Sequence, residues 1–246
     1  MKKEIVAIQG ELGAYSHLAA INFFKNPEIK TCTTFEEAFQ TAFQNENYKI
    51  IIPIENSLAG RVADIHYLLP KYKLQIHAEH FQNVEHNLLV KKDANLSDIK
   101  FVRSHSQAIG QCQKIINEKK FKTIVSADTA GSAKELSESK DKSIAAIASK
   151  LSAEIYDLKI LKENIEDVQG NVTRFLIMGK NVNQPEFQKE KKYITTCIFR
   201  LKSEPSALYK SLGGFATNQI NLTKLESFSV KNTFDQVNFY LDFEGH

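Results

Sequence analysis

Apolar runs of strand length alternate with helix-period segments from the first residues of the chain. "EIVAIQ" (residues 4–9) comes first, a helix is predicted over 16–24, and "TFEEAFQTAFQN" (34–45) follows. In that segment Thr34 and Glu37 have the spacing of a capping box, ahead of a 3.6-period stripe of Phe35, Ala38, Phe39 and Ala42. "KIIIPIEN" (49–56) is an unbroken apolar strand of the kind buried on both faces of a parallel sheet. This order predicts βαβ units.

The alternation resumes with a strand at 100–104, a helix over 106–120, a strand at 122–128, a helix over 129–139 and a strand at 143–149. Residues 75–93 read as extended segments without a helical stripe, which marks the crossing between two α/β lobes. "TRFLIMGK" then returns to the first lobe. The expected division is lobe I over about 1–76 plus 173–180 and lobe II over about 77–172. A cleft would lie between them, where strand ends and helix N-termini converge. Residues 181–191 are polar, contain a proline and lack periodicity, as a linker would. Beyond them a strand (192–201), a helix (206–219) and two strands (221–230 and 234–243) read as β-α-β-β. That order predicts a small ferredoxin-like α+β domain over 192–246, without the last helix and strand of that unit.

Composition adds limits rather than direction. The 246 residues are 42% hydrophobic and 25% charged, enough for the cores of one large or two smaller globular domains. Thirty-two basic and 29 acidic residues leave a net charge of +3 with no long block of one sign, so nothing points to nucleic acid or membrane as partner. The opening "MKKEIVAIQGELG" has an apolar stretch too short for a signal peptide or a membrane span, and the expected location is cytoplasmic. Cys32, Cys112 and Cys197 lack metal-ligand or redox spacing and are expected to be buried, reduced thiols. His77, His80 and His86 have no companions that complete a metal site, and no metal is expected.

Candidate chemistry gathers at the predicted strand ends. In "QGELGAYSHLAA", Gly10 and Gly13 precede Ser16 at a helix start. This is either plain turn and cap chemistry or a set of backbone N–H groups suited to an anion. Glu55, Asn56 and Ser57 end the apolar strand, where open α/β sheets face their ligand crevice, although turn formers capping the next helix fit as well. Ser104, His105, Gln107 and Gln111 repeat the arrangement in the second lobe. In "DVQGNVTRFLIMG", Thr173 offers a hydroxyl and Arg174 a planar fork for a carboxylate. The alternative is a β-branched strand residue beside an arginine paired with Glu166 or Asp167.

In chain order, "GELGAYSHLAA", "IPIENSLAGRV", "SHSQAIGQC", "DTAGSA", "AAIAS", "IEDVQGNVTRFLIMG" and "ALYKSLGGFATNQINLTKLES" resemble the prephenate dehydratase family along nearly the whole chain. The resemblance implies a two-lobed α/β catalytic domain over 1–180, like type II periplasmic binding proteins, and an ACT regulatory domain that senses L-phenylalanine. It implies conversion of prephenate to phenylpyruvate, water and carbon dioxide in L-phenylalanine biosynthesis, with no cofactor, in a homodimer or homotetramer. Dehydration of arogenate, the aminated analogue, and non-catalytic amino-acid sensing on the same scaffold are the alternatives. The family's catalytic threonine matches Thr173, and Arg174 would take the pyruvyl carboxylate. Asn56, Ser104, Gln111 and Glu55 match positions that assist catalysis, and Ser16, Ser57, His105, Gln107, Asn171 and Phe175 are expected to touch substrate. The corresponding effector positions are Ala207, Leu208, Asn221, Leu222, Glu226 and Ser227. Ser206 stands where relatives commonly carry glycine, and Phe228 and Ser229 where they carry arginine and proline, departures that bear on phenylalanine control.

Overall fold

The structure, a computed structural model, describes residues 3–181, 185–229 and 236–246. In chain order its elements are β1 (Ile5–Gln9), α1 (Tyr15–Phe23), β2 (Glu28–Cys32), α2 (Phe35–Gln44), β3 (Tyr48–Asn56), β4 (Gly60–Arg61), α3 (Ala63–Tyr72), β5 (Gln75–Asn83), β6 (Asn87–Val90), β7 (Phe101–His105), α4 (Ser106–Gly110), α5 (Gln113–Lys119), β8 (Lys122–Ser126), α6 (Thr129–Glu138), β9 (Ile144–Ala148), α7 (Lys150–Ile155), β10 (Lys159–Lys162), β11 (Val172–Gly179), β12 (Ile194–Leu201), α8 (Ala207–Thr217), β13 (Leu222–Ser229) and β14 (Val237–Glu244). The chain divides into two compact units, residues 1–183 and 184–246. Part of the expected linker (182–184) and the expected strand residues 230, 234 and 235 lie outside the described residues.

The larger unit holds two sheets, ordered β2-β1-β3-β11-β5 with β4 beside β3, and β10-β6-β9-β7-β8. In the first, β1 runs parallel to β2 and β3, while β11 is antiparallel to both β3 and β5. The apolar run of β3 is thus central in a mixed sheet, not a parallel one. Ile50, Ile51, Ile52 and Ile54 are fully buried because both faces of the strand are covered, whatever the direction of its neighbours. Val6, Ile8, Ala19, Ala20, Phe24, Ile51, Phe175 and Ile177 form the core between α1 and this sheet.

Sheet pairing moves the lobe boundary. β5 pairs with β11 as far as Asn83, so Gln75–Asn83 belongs to the first sheet and the crossing falls at residues 84–86, later than residue 76. The chain returns through residues 163–171. The expected helix over 106–120 is broken into α4 and α5. Asp167, on the return crossing, causes the break: its carboxylate accepts the N–H groups of Gln113 (2.8 Å) and Lys114 (3.0 Å), capping α5 from a distant part of the chain. At α2 the Thr34 hydroxyl accepts from the Glu37 N–H (3.1 Å), as the spacing predicts. The Glu37 carboxylate, however, reaches the N–H of Thr33 (2.6 Å), one residue before the cap.

A turn at the start of α1 joins the lobes. Gly13 has φ +91°, and its carbonyl accepts from the hydroxyls of Ser149 (2.6 Å) and Ser152 (3.0 Å) at the start of α7. Tyr156 donates to the Leu12 carbonyl (2.8 Å), and Lys134 pairs with Glu11 (3.1 Å). The two lobes are clasped beside the cleft.

In the smaller unit β14 lies between β12 and β13, all antiparallel, and Phe215 of α8 packs on Phe243. Ser206, before α8, has φ +65°, the left-handed conformation that glycine adopts without strain. Among the described residues no helix is long and apolar enough to cross a membrane.

A Cβ on Gly13 would stand 2.6 Å from Ser152 Oγ and 2.9 Å from Ser152 Cα, on a residue whose φ already disfavours L side chains. Gly13→Ala is expected to cost about 2–4 kcal/mol, the range of combined backbone strain and overpacking. A urea unfolding midpoint equal to that of the unsubstituted protein would contradict this clasp geometry.

Candidate active site

A cavity of about 470 Å³ opens between the lobes, lined by β1 and the start of α1, the end of β3, β4, both crossings, the α4 region, the start of α6 and the start of β11. Its walls combine Gly10, Ser16, Asn56, Arg61, His105, Gln107, Asp128 and Thr173 with the apolar Val84, Ala108 and Phe175.

The polar floor has a direction that begins in the backbone. Asn56 ends β3, and its Oδ1 accepts the N–H groups of Leu58 (3.0 Å) and Ala59 (2.8 Å). Backbone amides only donate, so these bonds decide which end of the Asn56 amide is oxygen. Nδ2 therefore faces the other way, donating to Asn171 Oδ1 (2.6 Å) and Thr173 Oγ1 (2.9 Å). Asn171 must then turn its own Nδ2 outward, and it donates to Gln111 Oε1 (2.9 Å). That same oxygen lies 2.9 Å from His86 Nε2, which has to be the protonated ring nitrogen. His86 Nδ1 lies 2.9 Å from the Tyr15 hydroxyl, whose single hydrogen is shared with the Glu85 carbonyl (2.7 Å).

Two donors are left over. Thr173 Oγ1 accepts from Asn56, so its own hydrogen points elsewhere, and no acceptor for it occurs among the described residues. Gln111 spends its carbonyl oxygen on Asn171 and His86, leaving its NH₂ group without a partner there. Both side chains line the cavity, with Thr173 itself buried.

Burial favours the neutral forms along this chain. It lowers the pKa of the His86 imidazole, against the opposing bond to Gln111 and the charge of Glu166. It holds the Tyr15 phenol well above its ordinary range, helped by Cys112, Glu166 and Glu85. The Cys112 thiol is likewise pushed far up by burial and by Asp167 and Glu166. Cys32 and Cys112 are buried as expected, whereas Cys197 is only partly so.

At the opposite wall α1 begins at Tyr15 with Ala14 as its cap residue, which supplies no side-chain bond to the first amides. Ser16 is 7% exposed, lines the cavity, and its hydroxyl has no partner among the described residues. An uncapped helix start beside a cavity-facing hydroxyl is suited to a carboxylate.

Several expected site residues lie elsewhere. Along β11 side chains alternate, so Thr173 and Phe175 line the cavity while Arg174 does not, and the Arg174 guanidinium bonds Glu79 on β5 (2.7 Å). Its expected role as carboxylate fork is not supported, and Glu166 and Asp167 are not its partners in this bond. Glu166 accepts the His86 backbone N–H (2.9 Å), and Asp167 caps α5. Ser104 is fully buried and donates to the Ile147 carbonyl (2.7 Å), a bond inside the second lobe. Glu55 is absent from the cavity wall and sits opposite Arg174 and Arg61 in the strand register. Ser57 ties its loop to Val172, with the hydroxyl accepting the Val172 N–H (3.0 Å). Ser16, His105, Gln107, Asn171 and Phe175 do line the cavity. Ala207 and Leu208 open α8, Asn221 precedes β13, and Leu222, Glu226 and Ser227 lie on β13. Sequence reasoning misses the roles of His86 and Tyr15: it considers His86 only as a metal ligand, and nothing local pairs two residues 71 positions apart.

A family model described as prephenate dehydratase matches residues 6–183. The chain belongs to the prephenate dehydratase family. It is 40% identical over 245 residues to a bifunctional N-acyl-homoserine lactone acylase/prephenate dehydratase of Komagataeibacter europaeus, covering 99% of this chain and 86% of that protein. It is 38% identical to the prephenate dehydratase of Methanocaldococcus jannaschii, covering 95% and 86%. Arogenate dehydratase/prephenate dehydratase 1 of Arabidopsis thaliana is 38% identical over 98% of this chain, which spans 64% of that plant protein. Among solved structures, prephenate dehydratase from Arthrobacter aurescens in complex with L-Phe superposes with a TM-score of 0.89 at 27% identity, over 98% of this chain and 81% of that one. As a member of the prephenate dehydratase family the chain is an enzyme, a lyase.

The direction of the bonds is open to a one-atom test. Asn56→Asp puts oxygen where Nδ2 now stands, against Asn171 Oδ1, and lets the Thr173 hydroxyl donate inward instead of to the cavity. Turnover of prephenate is expected to fall by about 100-fold or more, the usual loss on removing one aimed donor. Stability is expected to fall by about 1–3 kcal/mol. An Asn56→Asp enzyme with near-normal kcat would refute the bond direction described here.

Proposed function

We infer that this chain carries out the decarboxylative dehydration of prephenate in L-phenylalanine biosynthesis, and that Thr173 is its catalytic residue. Prephenate dianion plus one proton gives phenylpyruvate, water and carbon dioxide. The C–C bond to the ring carboxylate breaks, its electrons complete the aromatic ring, and the C–O bond opposite breaks as the hydroxyl leaves as water. The observation that carries this reading is the Asn56 Nδ2 bond to Thr173 Oγ1, which leaves the hydroxyl hydrogen as a donor into the cavity. Negative charge grows on the leaving oxygen, and a fixed dipole aimed at it lowers the barrier without reorganising. Threonine is too weak an acid to give up its own proton outright, so the proton that completes the water comes from solvent or from the network.

The Gln111 NH₂ group acts as the second donor at this end of the cavity. The pyruvyl carboxylate goes to the start of α1, where uncapped amides and the Ser16 hydroxyl meet; Arg61 of β4 also lines the cavity. The ring carboxylate is then left without a dedicated cation. This suits its departure, because tight ion pairing would stabilise the ground state it has to leave. Arg174 has no part in binding in this reading and ties β11 to β5. His105, Gln107 and Phe175 complete the wall around the ring.

The plant relative named for both substrates makes arogenate the alternative substrate. Arogenate carries an ammonium where prephenate carries a ketone, and the cavity wall near α1 decides between them. The smaller unit reads as an ACT-type regulatory domain for L-phenylalanine, with Ala207, Leu208, Asn221, Leu222, Glu226 and Ser227 as its contacts. Two observations support this: the likeness to a solved relative in complex with L-Phe, and the glycine-like backbone that Ser206 keeps at the start of α8.

Purified protein mixed with prephenate at neutral pH is expected to release phenylpyruvate, with a smaller kcat/KM for arogenate. Thr173→Val, which keeps the shape and removes the hydroxyl, should lower kcat by about 100- to 1,000-fold. Ser16→Ala should chiefly raise KM, by about 5- to 30-fold for one lost hydrogen bond to a charged group. A Thr173→Val enzyme with normal turnover would remove Thr173 from the mechanism.

A further inference from the structure

The residues that hold Gln111 come from the two crossings between the lobes. His86 ends the first crossing and Asn171 ends the second, while Gln111 sits in the second lobe at the break between α4 and α5. Both donate to the same oxygen, Gln111 Oε1, each at 2.9 Å. His86 is 2% exposed, and protein groups occupy both ring nitrogens: Gln111 at Nε2 and the Tyr15 hydroxyl at Nδ1. Its backbone is held as well, with the N–H donating to Glu166 Oε2 (2.9 Å) and the carbonyl accepting from the Ile165 N–H (2.8 Å). His86 borders the cavity, but with both ring nitrogens engaged it turns no unpartnered polar atom into it.

We propose that His86, locked as the neutral Nε2–H tautomer, is a positioning residue that aims the Gln111 amide at the substrate, with Tyr15 of α1 holding the ring in place from the first lobe. A carboxamide oxygen has two acceptor directions, and Asn171 and His86 fill both. With both filled, the Gln111 NH₂ group has one orientation, toward the cavity. Rotating the amide by 180° would set its NH₂ against the Asn171 NH₂ and the His86 N–H, donor against donor. Asn171 cannot yield, because the backbone amides at Leu58 and Ala59 fix Asn56, and Asn56 fixes Asn171. Without His86, one direction on Oε1 is empty and the side chain can swing about the remaining bond. Tyr15 brings the first lobe into this arrangement. Its hydroxyl is shared between the Glu85 carbonyl and His86 Nδ1, and its ring meets the imidazole edge to face with centroids 5.7 Å apart. The aim of Gln111 thus depends on contacts from both lobes.

The inference rests on the dehydratase reading for its consequence but not for its geometry, and the test separates the two. Kinetics with prephenate are measured for His86→Met, which fills the volume without a donor, for His86→Gln, whose amide can present an N–H near the Nε2 position, for Gln111→Ala, and for the His86→Met/Gln111→Ala pair. His86→Met should lower kcat by about 10- to 50-fold with KM changed less than about threefold, as expected when a group acts in the transition state rather than in binding. His86→Gln should recover most of that loss. The double variant should be no slower than Gln111→Ala alone, since residues that act through one another are not additive. Losses that multiply in the double variant, or a His86→Gln enzyme no better than His86→Met, would overturn the proposal. In parallel, ¹⁵N spectra of the histidine-labelled protein, with the His86 signals assigned by their loss in His86→Gln, should show a neutral ring protonated at Nε2 at pH 7. A proton on Nδ1, or a charged ring, would overturn it irrespective of activity. If the unsubstituted protein converts no prephenate, the dehydratase reading fails, and the ring spectra still decide the geometry.

Discussion

Two backbone N–H groups, those of Leu58 and Ala59, set the chemistry of the cleft by fixing which end of the Asn56 amide is oxygen. A backbone amide cannot turn round, so the constraint comes from the fold and not from any titrating group. From Asn56 the direction passes to Thr173, to Asn171, to Gln111 and finally to the tautomer of His86. Reversing any one link would oppose two donors or two acceptors away from bulk water, at about 1–3 kcal/mol for each unmet group. That cost makes one arrangement dominate. The turn after β3 therefore sets the floor of the cavity although Leu58 supplies no side chain to its wall.

The same economy appears in how charge is arranged. Glu166 and Asp167 lie on a crossing beside the cavity, and both spend their carboxylates on backbone N–H groups, at His86 and at the start of α5. Asp128 reaches the cavity wall but accepts the Gly131 N–H as the cap of α6. Carboxylates that would repel a dianion are thereby tied to structural work. The floor is left with neutral donors. For a substrate that must lose one of its two negative charges, neutral dipoles at the reacting end are better suited than a cluster of cations, which would hold the dianion back.

Much of this is legible in the sequence, within limits that have physical causes. The period-2 and 3.6-period patterns locate β1, α2, β3, β7, α6 and β9, because each buries enough apolar surface to leave a stripe. β2 escapes them: its sequence, "EIKTC", edges the sheet and is only partly buried, so it carries little pattern. α3 is hidden by Pro70 inside it. The break at Gln111 cannot be read locally, since the carboxylate that caps α5 lies more than fifty residues away, on Asp167. Strand-end logic expects Thr173, Asn56 and Gln111 to face a cleft, and all three line the cavity. Arg174, Glu55 and Ser104, expected beside them from adjacency in the same motifs, are absent from the cavity wall. Arg174 follows Thr173 directly and so must point to the other face of β11, a rule of strand geometry that the sequence already contains. His86 needs the structure, because its importance lies in which two partners its nitrogens meet.

One short segment carries three separate demands. Residues 10–17 supply the Gly13 carbonyl that docks on Ser149 and Ser152 of the second lobe, the Ser16 hydroxyl on the cavity wall, and the Tyr15 hydroxyl that touches His86. His17 also belongs to this set, as its Nδ1 accepts the Gly13 N–H (3.0 Å) and burial lowers its pKa, which keeps that nitrogen available as an acceptor. Because α1 starts inside this segment, its first amides, the lobe clasp and the strut behind Gln111 are all set by the same few dihedral angles. Lobe apposition, the α1 end of the cavity and the contacts behind Gln111 therefore cannot vary independently. The docking of this turn on Ser152 leaves no room for a Cβ at position 13, which accounts for its glycine.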